Sequence, residues 1–166
     1  MEFWDAYDVQ RQPTGEFLER GKPIPDEFYH LVVNAFIQHI DGDFLFMKRS
    51  SDKELHPNIY ECGAGGSVLA GETSLEAAQR EMLEETGLQA DQLERFYQET
   101  STKYQCHFDY YLAQVSGDKS AVCYQAGETD GHIWVAPSDL DVFFKEHSTF
   151  SDQKVLLEML LVQKDV

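Results

Sequence analysis

Basic residues are scarce in this chain, and their scarcity excludes one large class of partner. Among 166 residues, 13 are Lys or Arg and 30 are Asp or Glu, which gives a formal charge of −17 at pH 7. Proteins that bind nucleic-acid polymers normally carry a basic stripe, so we expect no such partner. An anionic ligand would enter this negative field with the help of a divalent cation and a few local basic side chains.

Long apolar runs are also missing. The chain contains no uninterrupted apolar stretch of the roughly 18 residues that a membrane-spanning helix needs. It begins Met-Glu-Phe-Trp-Asp, without the basic and apolar segments of a secretory signal. We therefore expect no membrane association and a cytoplasmic location.

Cysteine is the third scarce residue, with only Cys62, Cys106 and Cys123. An odd number without paired metal spacing predicts neither a disulfide framework nor a zinc site. Because free cysteines are commonly buried, we expect all three to be reduced, buried thiols. The six histidines are scattered, and their spacing identifies no metal ligand.

What the chain does contain is typical of one globular domain. Its hydrophobic content of 42% argues against disorder, and its length fits a single domain. Strand and turn patterns alternate with helical ones, which predicts a mixed sheet covered by helices on both faces. The predicted elements are a hairpin over residues 3–20, strands over 31–40, 44–49, 93–100, 104–115 and 132–135, a short helix opened by Pro137, and a helix over 152–162.

One further helix is specified in detail. Thr73 and Glu76 have the spacing of a capping box, in which each side chain bonds the backbone N–H of the other residue. Gly87 stands where a left-handed C-terminal cap is favourable, so the helix should run between Thr73 and Gly87. The residues predicted to form its buried stripe are Leu75, Ala78 and Met82.

Three carboxylates crowd one face of this helix. Glu81, Glu84 and Glu85 are spaced three and four residues apart, so their like charges repel one another. A bound divalent cation would turn that repulsion into attraction, because hard cations prefer carboxylate oxygens. Arg80 lies four residues before Glu84 and can pair with it. The sequence therefore predicts a site for Mg²⁺ or Mn²⁺ on this helix.

The same segment resembles the Nudix box, whose pattern is G-x5-E-x7-R-E-U-x-E-E-x-G-U with U an apolar residue. The match extends over residues 66–88. The matching positions are Gly66, Glu72, Arg80, Glu81, Met82, Glu84, Glu85, Gly87 and Leu88. The resemblance implies one Nudix domain over residues 1–166, with an α/β/α sandwich, a mixed sheet and, in this chain, an N-terminal hairpin extension.

The resemblance also implies an activity and a set of roles. Nudix hydrolases use Mg²⁺ or Mn²⁺ to cleave a diphosphate linkage, as in nucleoside diphosphate derivatives, by attack of water at phosphorus. Carried over to this chain, the metal ligands would be Glu81, Glu84, Glu85 and the backbone carbonyl of Gly65. Either Glu81 or Glu85 would serve as the base, Arg80 would orient the glutamates, and Glu72 would steady the loop.

Four residues outside the box are further candidates. A downstream acidic residue often joins the site in this family, and Glu128 is our candidate, with an ordinary solvated carboxylate as the equal alternative. Lys48 and Arg49 end a strand near the expected mouth of the site and are candidate phosphate contacts. His30 is a candidate residue on the substrate side, with a structural role as its alternative.

A narrower resemblance supplies a competing function. Residues 8–15, His30 and residues 48–50 resemble the amino-terminal half of type I isopentenyl-diphosphate isomerases, which share the Nudix fold. The catalytic cysteine of those enzymes falls at Gly65 here, and Cys62 lies three residues too early to replace it. The box is intact in this chain and degraded in the isomerases. We therefore expect hydrolysis, with isopentenyl-diphosphate isomerase as the alternative enzyme.

An alternative of another class is a non-catalytic Nudix module that binds a nucleotide or metabolite. In each case the expected partner is a phosphorylated small molecule. The sequence does not identify that molecule, or the glutamate that acts as base. The oligomeric state is also open, although homodimers are common in the resembled family.

Overall fold

A computed structural model describes residues 1–164, and it confirms the predicted α/β fold with a mixed sheet. Residues 165 and 166 of the predicted domain lie outside the described part. The strands are β1 (Phe3–Tyr7), β2 (Pro13–Glu19), β3 (His30–His39), β4 (Phe44–Arg49), β5 (Tyr60–Cys62), β6 (Ala64–Ser67), β7 (Gln92–Ser101), β8 (Cys106–Val115) and β9 (Thr129–Val135). The helices are α1 (Ser74–Thr86), α2 (Leu140–Glu146) and α3 (Ser151–Lys164).

Strand β3 organises the seven-stranded sheet. It runs parallel to β8 on one side and antiparallel to β6 on the other, and its end pairs with β4. Strand β4 in turn pairs with β5 and β9, and β7 pairs with β8. Strands β5 and β6 flank Gly63, so the pairing brings the start of the Nudix box to the middle of the sheet.

The sheet is buried on both faces because its central strands are apolar at nearly every position. In β4, Leu45 and Met47 pack toward α1, whereas Phe44 and Phe46 pack toward α2 and α3. Successive side chains of a strand point to opposite faces, so one continuous apolar run supplies both cores. The result is a three-layer sandwich.

Helix α1 begins and ends as predicted. Thr73 and Glu76 form the capping box, and Gly87 adopts the left-handed conformation with φ of 72°. The prediction that Leu75 is buried is wrong, because its side chain is 42% exposed. Ser74 donates to the buried Asp109 of β8 at 2.6 Å, so the first helical turn presents Ser74, and not Leu75, to the sheet. The side chains buried on α1 are Ala77, Ala78, Met82, Glu85 and Thr86.

The cysteine prediction is correct for two of the three residues. Cys62 and Cys106 are buried, and burial raises the pKa of both thiols. Cys123 is exposed, so the prediction is wrong there. It lies in an irregular segment whose attachment to α1 is a backbone bond from its own N–H to the Thr86 carbonyl, at 2.8 Å. Its side chain therefore stays at the surface.

The hairpin β1–β2 has its own small core and is tied to the sheet by polar contacts. Trp4, Ala6 and Leu18 form that core. Arg11, in the hairpin turn, donates to the Asp109 carboxylate at 2.7 Å and to two backbone carbonyls of β7 and β8. Among residues 1–164, no helix is long and apolar enough to cross a membrane.

Asp109 is the polar centre at which hairpin, helix and sheet meet. It is only 2% exposed and accepts hydrogen bonds from Ser74 at 2.6 Å, Arg11 at 2.7 Å and Gln98 at 2.9 Å. Burial by itself would raise the pKa of Asp109, but the bonds from Ser74, Gln98 and Arg11 lower it below its ordinary value of 3.8. The ionised form is therefore the one that the fold selects.

Replacement of Asp109 should destabilise the fold in a pH-dependent way. We expect Asp109→Asn to lower the free energy of unfolding by about 3 kcal/mol at neutral pH, because it leaves Arg11 without its buried counter-charge. Since the folded pKa of Asp109 is lowered, its stabilisation is complete above pH 4 or so and disappears as the pH falls through that lowered pKa. Urea unfolding at pH 7 and near pH 3 measures both effects.

The matched control is Glu94→Gln, which removes one carboxylate charge from an exposed position of neighbouring β7. Its free energy of unfolding should change by less than about 0.5 kcal/mol. Equal losses for the two variants, or a loss for Asp109→Asn that persists unchanged at acid pH, would contradict the role assigned to Asp109.

Candidate active site

A cavity of about 390 Å³ opens where the Nudix box, two loops and the hairpin meet. Helix α1 forms one wall and β6 forms the floor. The loop after β4 and the segment before β9 form the opposite wall, and the hairpin reaches the rim. The lining residues are Glu2, Arg20, Arg49, Lys53, Gly65, Gly66, Ser67, Leu69, Arg80, Glu81, Glu84, Glu85, Gln125 and Glu128.

The three glutamates of the α1 face all line this cavity, but they differ in exposure. The Glu81 side chain is 13% exposed and the Glu84 side chain 44%. Glu85 is buried at 8% exposure, on the same side of the helix as Met82. The helical spacing therefore produces a graded row of carboxylates, with Glu85 deepest and Glu84 at the solvent.

Arg80 is the counter-ion of this row. Its Nε and Nη2 donate to the two carboxylate oxygens of Glu72 at 2.8 and 3.0 Å, and Nη2 also donates to the Ser67 carbonyl. Its Nη1 donates to Glu81 at 2.7 Å and to Glu84 at 3.3 Å. Glu72 also accepts from the Leu69 N–H, so one guanidinium ties the box loop to the helix.

These contacts divide the box carboxylates into two electrostatic classes. Burial alone would raise the pKa of Glu72, but its bonds with Arg80 lower it. Burial raises the pKa of Glu81 in spite of Arg80. Burial, followed by the charges of Glu61, Glu81 and Glu128, raises the pKa of Glu85 well above its ordinary value. Negative charge at Glu81 and Glu85 is therefore costly until a cation compensates it.

Glu61 is the residue of this cluster that the sequence analysis missed. It lies on β5, where the strand register places it opposite Met47 of β4, two residues before Arg49. Arg49 Nη1 donates to the Glu61 carboxylate at 3.3 Å. Burial raises the pKa of Glu61, although Arg49 opposes this effect. The signal for Glu61 in the sequence is a single charged residue in a short strand whose other residues, Tyr60 and Cys62, are half-buried and buried.

The four candidates outside the box fall into two groups. Glu128 and Arg49 line the cavity. Lys48 does not, because it points toward Asp130 at 3.6 Å on the neighbouring strand β9. His30 is also not among the residues that line the cavity, which agrees with the structural alternative for this residue, while a substrate-side role stays an untested prediction. Its ring stacks on Trp4 of the hairpin with a centroid distance of 4.4 Å.

The surroundings of His30 explain why it does not line the cavity. Burial, followed by the charge of His107, lowers its pKa to about 4, so it is neutral at pH 7. Its Nδ1 is buried without a hydrogen-bond partner in the described structure. The N-terminal extension covers this residue, and the box pattern carries no information about that extension.

The donor set fits a hard divalent cation by its chemistry. Gly65, directly before the box, and Glu81 and Glu85 within it line one cavity. Backbone carbonyl and carboxylate oxygens of this kind suit Mg²⁺. Within residues 1–164, however, no group of three His, Cys, Asp or Glu side chains is already converged as a ligand set. Arg80 occupies Glu81 and Glu84 instead, so cation binding requires small side-chain movements.

Comparison with known proteins agrees with this geometry. A model of the NUDIX domain family matches residues 28–158, which leaves the hairpin β1–β2 outside the match. A Nudix hydrolase of Listeria monocytogenes, described as uncharacterized, is 38% identical over 109 residues, which span 66% of this chain and 62% of the relative. This chain thus aligns with less than two thirds of that relative's length.

One further relative and one solved structure are also similar to this chain. An isopentenyl-diphosphate Delta-isomerase of Corynebacterium diphtheriae is 24% identical over 140 residues, 78% of this chain and 75% of the enzyme. A crystal structure from Deinococcus radiodurans covers 95% of this chain and 98% of its own, with a TM-score of 0.75 and 22% identity. This structure shares the fold. Because the family model matches well over half of the chain, the protein belongs to the Nudix family.

Proposed function

We propose that this protein is a divalent-metal-dependent hydrolase that cleaves a diphosphate linkage in a small molecule by attack of water at phosphorus. The observation that carries the proposal is the burial of Glu81 and Glu85 beside one another in a cavity, with their pKa values raised. A fold gains nothing from two such carboxylates unless a ligand compensates their charge. The family membership supplies the reaction class.

The residues that would hold Mg²⁺ or Mn²⁺ are Glu81, Glu84, Glu85 and the Gly65 carbonyl. When bound, the cation supplies charge neutralisation at the phosphate oxygens and a lowered pKa for water. Arg80 keeps Glu81 oriented toward β6, and its two bonds to Glu72 keep the box loop against the helix. Glu81 or Glu85 is the candidate base, and Glu128 reaches the cavity from the opposite wall.

Two other functions remain as alternatives in the proposal. For the isomerase, the relevant finding is that Cys62 is fully buried in the core under α2 and α3, away from the cavity lining. Its thiol is therefore poorly placed to protonate a substrate. A non-catalytic binding module would show ligand-induced thermal stabilisation without product. Cytoplasmic location and homodimeric assembly stay predictions from the sequence.

A substrate panel tests the activity. Purified protein with Mg²⁺ would be incubated with nucleoside di- and triphosphates, dinucleoside polyphosphates, sugar nucleotides and isoprenoid diphosphates. We expect release of a phosphorylated product from at least one class, and loss of that release on chelation of the metal. Conversion of isopentenyl to dimethylallyl diphosphate would favour the isomerase. No product from any class would contradict both enzymes.

Glu85→Gln should separate stability from activity. It removes a buried charge and keeps the shape, so we expect the free energy of unfolding without metal to be unchanged or raised by about 1 kcal/mol. Turnover should fall by at least about 100-fold, since even indirect metal-site substitutions cost 10- to 100-fold. Urea unfolding and the panel's best substrate measure the two effects. Glu94→Gln, an exposed replacement on β7, is the control.

Adjacent glycines of β6 should respond differently to the same added methyl group. A Cβ at Gly66 would overlap the Glu81 carboxylate, the movable end of a side chain. A Cβ at Gly65 would lie 2.7 Å from the Val33 carbonyl of the rigid strand β3. We therefore expect Gly66→Ala to weaken Mn²⁺ binding with little change in stability, and Gly65→Ala to cost about 1–3 kcal/mol of stability.

Titration calorimetry with Mn²⁺ and urea unfolding provide the two measurements for each glycine variant. Unaltered Mn²⁺ affinity in Gly66→Ala would show that Glu81 is not a ligand. A loss of stability in Gly66→Ala as large as that in Gly65→Ala would show that the Glu81 side chain cannot move aside, contrary to our reading of the site.

A further inference from the structure

An ion pair joins the two segments that form the cavity wall opposite α1. Lys53 Nζ donates to Glu128 Oε2. Lys53 lies in the loop between β4 and β5, and Glu128 directly precedes β9. Both residues line the cavity, and their side chains are 23% and 40% exposed. A ligand entering the cavity would therefore meet this pair directly.

Arg49 fixes the loop that presents Lys53. Its Nε donates to the His56 carbonyl at 3.1 Å, its Nη2 to the Leu55 carbonyl at 3.0 Å, and its Nη1 to Glu61 at 3.3 Å. Each guanidinium nitrogen thus has an acceptor within the protein. Arg49 therefore positions this loop, and its expected contact with a phosphate stays a prediction.

The backbone on both sides of the pair is also fixed. The Ser50 N–H donates to the Glu128 carbonyl at 2.9 Å, and Ser50 is buried. The two loops are therefore joined at their bases, and the distance between them is set. Exchange of partners by Lys53 and Glu128 needs rotation of side chains alone, which is a fast and inexpensive motion.

The charges in the cavity favour such an exchange. Lys53, Glu85 and Glu128 line the same cavity, so the ammonium of Lys53 and the carboxylates of Glu85 and Glu128 share one small volume. If a divalent cation bound beside Glu85, Lys53 would lose part of its hold on these carboxylates. The displaced ammonium then needs an anion, and a phosphate oxygen is a strong acceptor for it.

We propose that Lys53 and Glu128 form an exchangeable pair: each neutralises the other in the free protein, whereas in the substrate complex Lys53 contacts a phosphate and Glu128 turns toward the divalent cation. The inference rests on the proposed function, since it uses the same cation and the same diphosphate. It adds Lys53 as a phosphate-binding residue, and it couples the binding of the cation to the binding of the diphosphate. Because each ligand releases a partner for the other, cation and diphosphate bind with positive cooperativity.

A double-mutant cycle on Mn²⁺ binding tests the pair without reference to turnover. Calorimetric titrations with Mn²⁺ alone would compare the wild type, Lys53→Gln, Glu128→Gln and the double variant. We expect Lys53→Gln to raise the Mn²⁺ affinity about two- to fivefold, the range of a partly exposed ion pair. In the Glu128→Gln background, Lys53→Gln should have no comparable effect, because no carboxylate is left to be released.

A second titration tests the phosphate contact. Methylenediphosphonate, a non-hydrolysable diphosphate, would be titrated into protein held at saturating Mn²⁺. We expect Lys53→Gln to weaken its binding about tenfold, the loss of one charge-assisted hydrogen bond. Lys103→Gln, at an exposed turn between β7 and β8, changes the net charge equally and should leave both affinities unchanged. Lys53→Arg should preserve most of the diphosphonate binding.

The outcomes separate this inference from the proposed function. The exchangeable pair would be overturned if Lys53→Gln changed the Mn²⁺ affinity equally with and without Glu128, or if diphosphonate binding were insensitive to Lys53. In either case, Mn²⁺ binding by the wild type would still support a metal-dependent hydrolase. A wild-type protein that binds no Mn²⁺, with or without diphosphonate, would overturn both. Thermal unfolding of each variant verifies that affinities are compared between folded proteins.

Discussion

The organisation of this protein depends on ionisable carboxylates that the fold holds close together in a partly buried cavity. Glu81 and Glu85 lie one helical turn apart, and burial raises the pKa of both. Left alone, such groups would protonate or force the helix away from the sheet. Arg80 offsets this cost at Glu81, because it binds Glu72, Glu81 and Glu84 together, and the bonds with Glu72 and Glu81 raise the pKa of Arg80 itself. The site is thus stable but under electrostatic tension that a cation can relieve.

That tension is maintained because helix α1 cannot rotate to expose the buried carboxylate. Ser74 donates to Asp109 at one end, and the Thr86 carbonyl accepts from the Cys123 N–H at the other. Between them, Ala77, Ala78 and Met82 are packed on the sheet. Well-packed protein interiors have low compressibility, so these contacts hold the helix in one orientation. The stability of the sandwich is therefore what keeps Glu85 inside.

Sequence reasoning succeeded where the controlling interactions are local. The limits of α1 follow from a capping box and a glycine that are close in the chain, so both ends were predictable. Leu75 was misplaced because the rotation of the helix is set by Ser74 and Asp109, which are 35 residues apart. The sequence analysis predicted neither Lys53, which the loop after β4 brings to the cavity, nor Glu61, which the strand register brings to Arg49. The surroundings of His30 were not predictable, because the hairpin that covers it lies outside the Nudix match.

Several of the few basic residues of this chain lie at the cavity. Four of the 13 Lys and Arg residues line the one cavity that contains the box glutamates: Arg20, Arg49, Lys53 and Arg80. Each is paired with a carboxylate, to Glu2, Glu61, Glu128 and the Glu72–Glu81–Glu84 group respectively. A divalent cation with a diphosphate carries both signs of charge as well. Such a complex can exchange partners with the Lys53–Glu128 pair proposed above while little net charge enters the cavity, which would let a strongly acidic protein admit an anionic substrate.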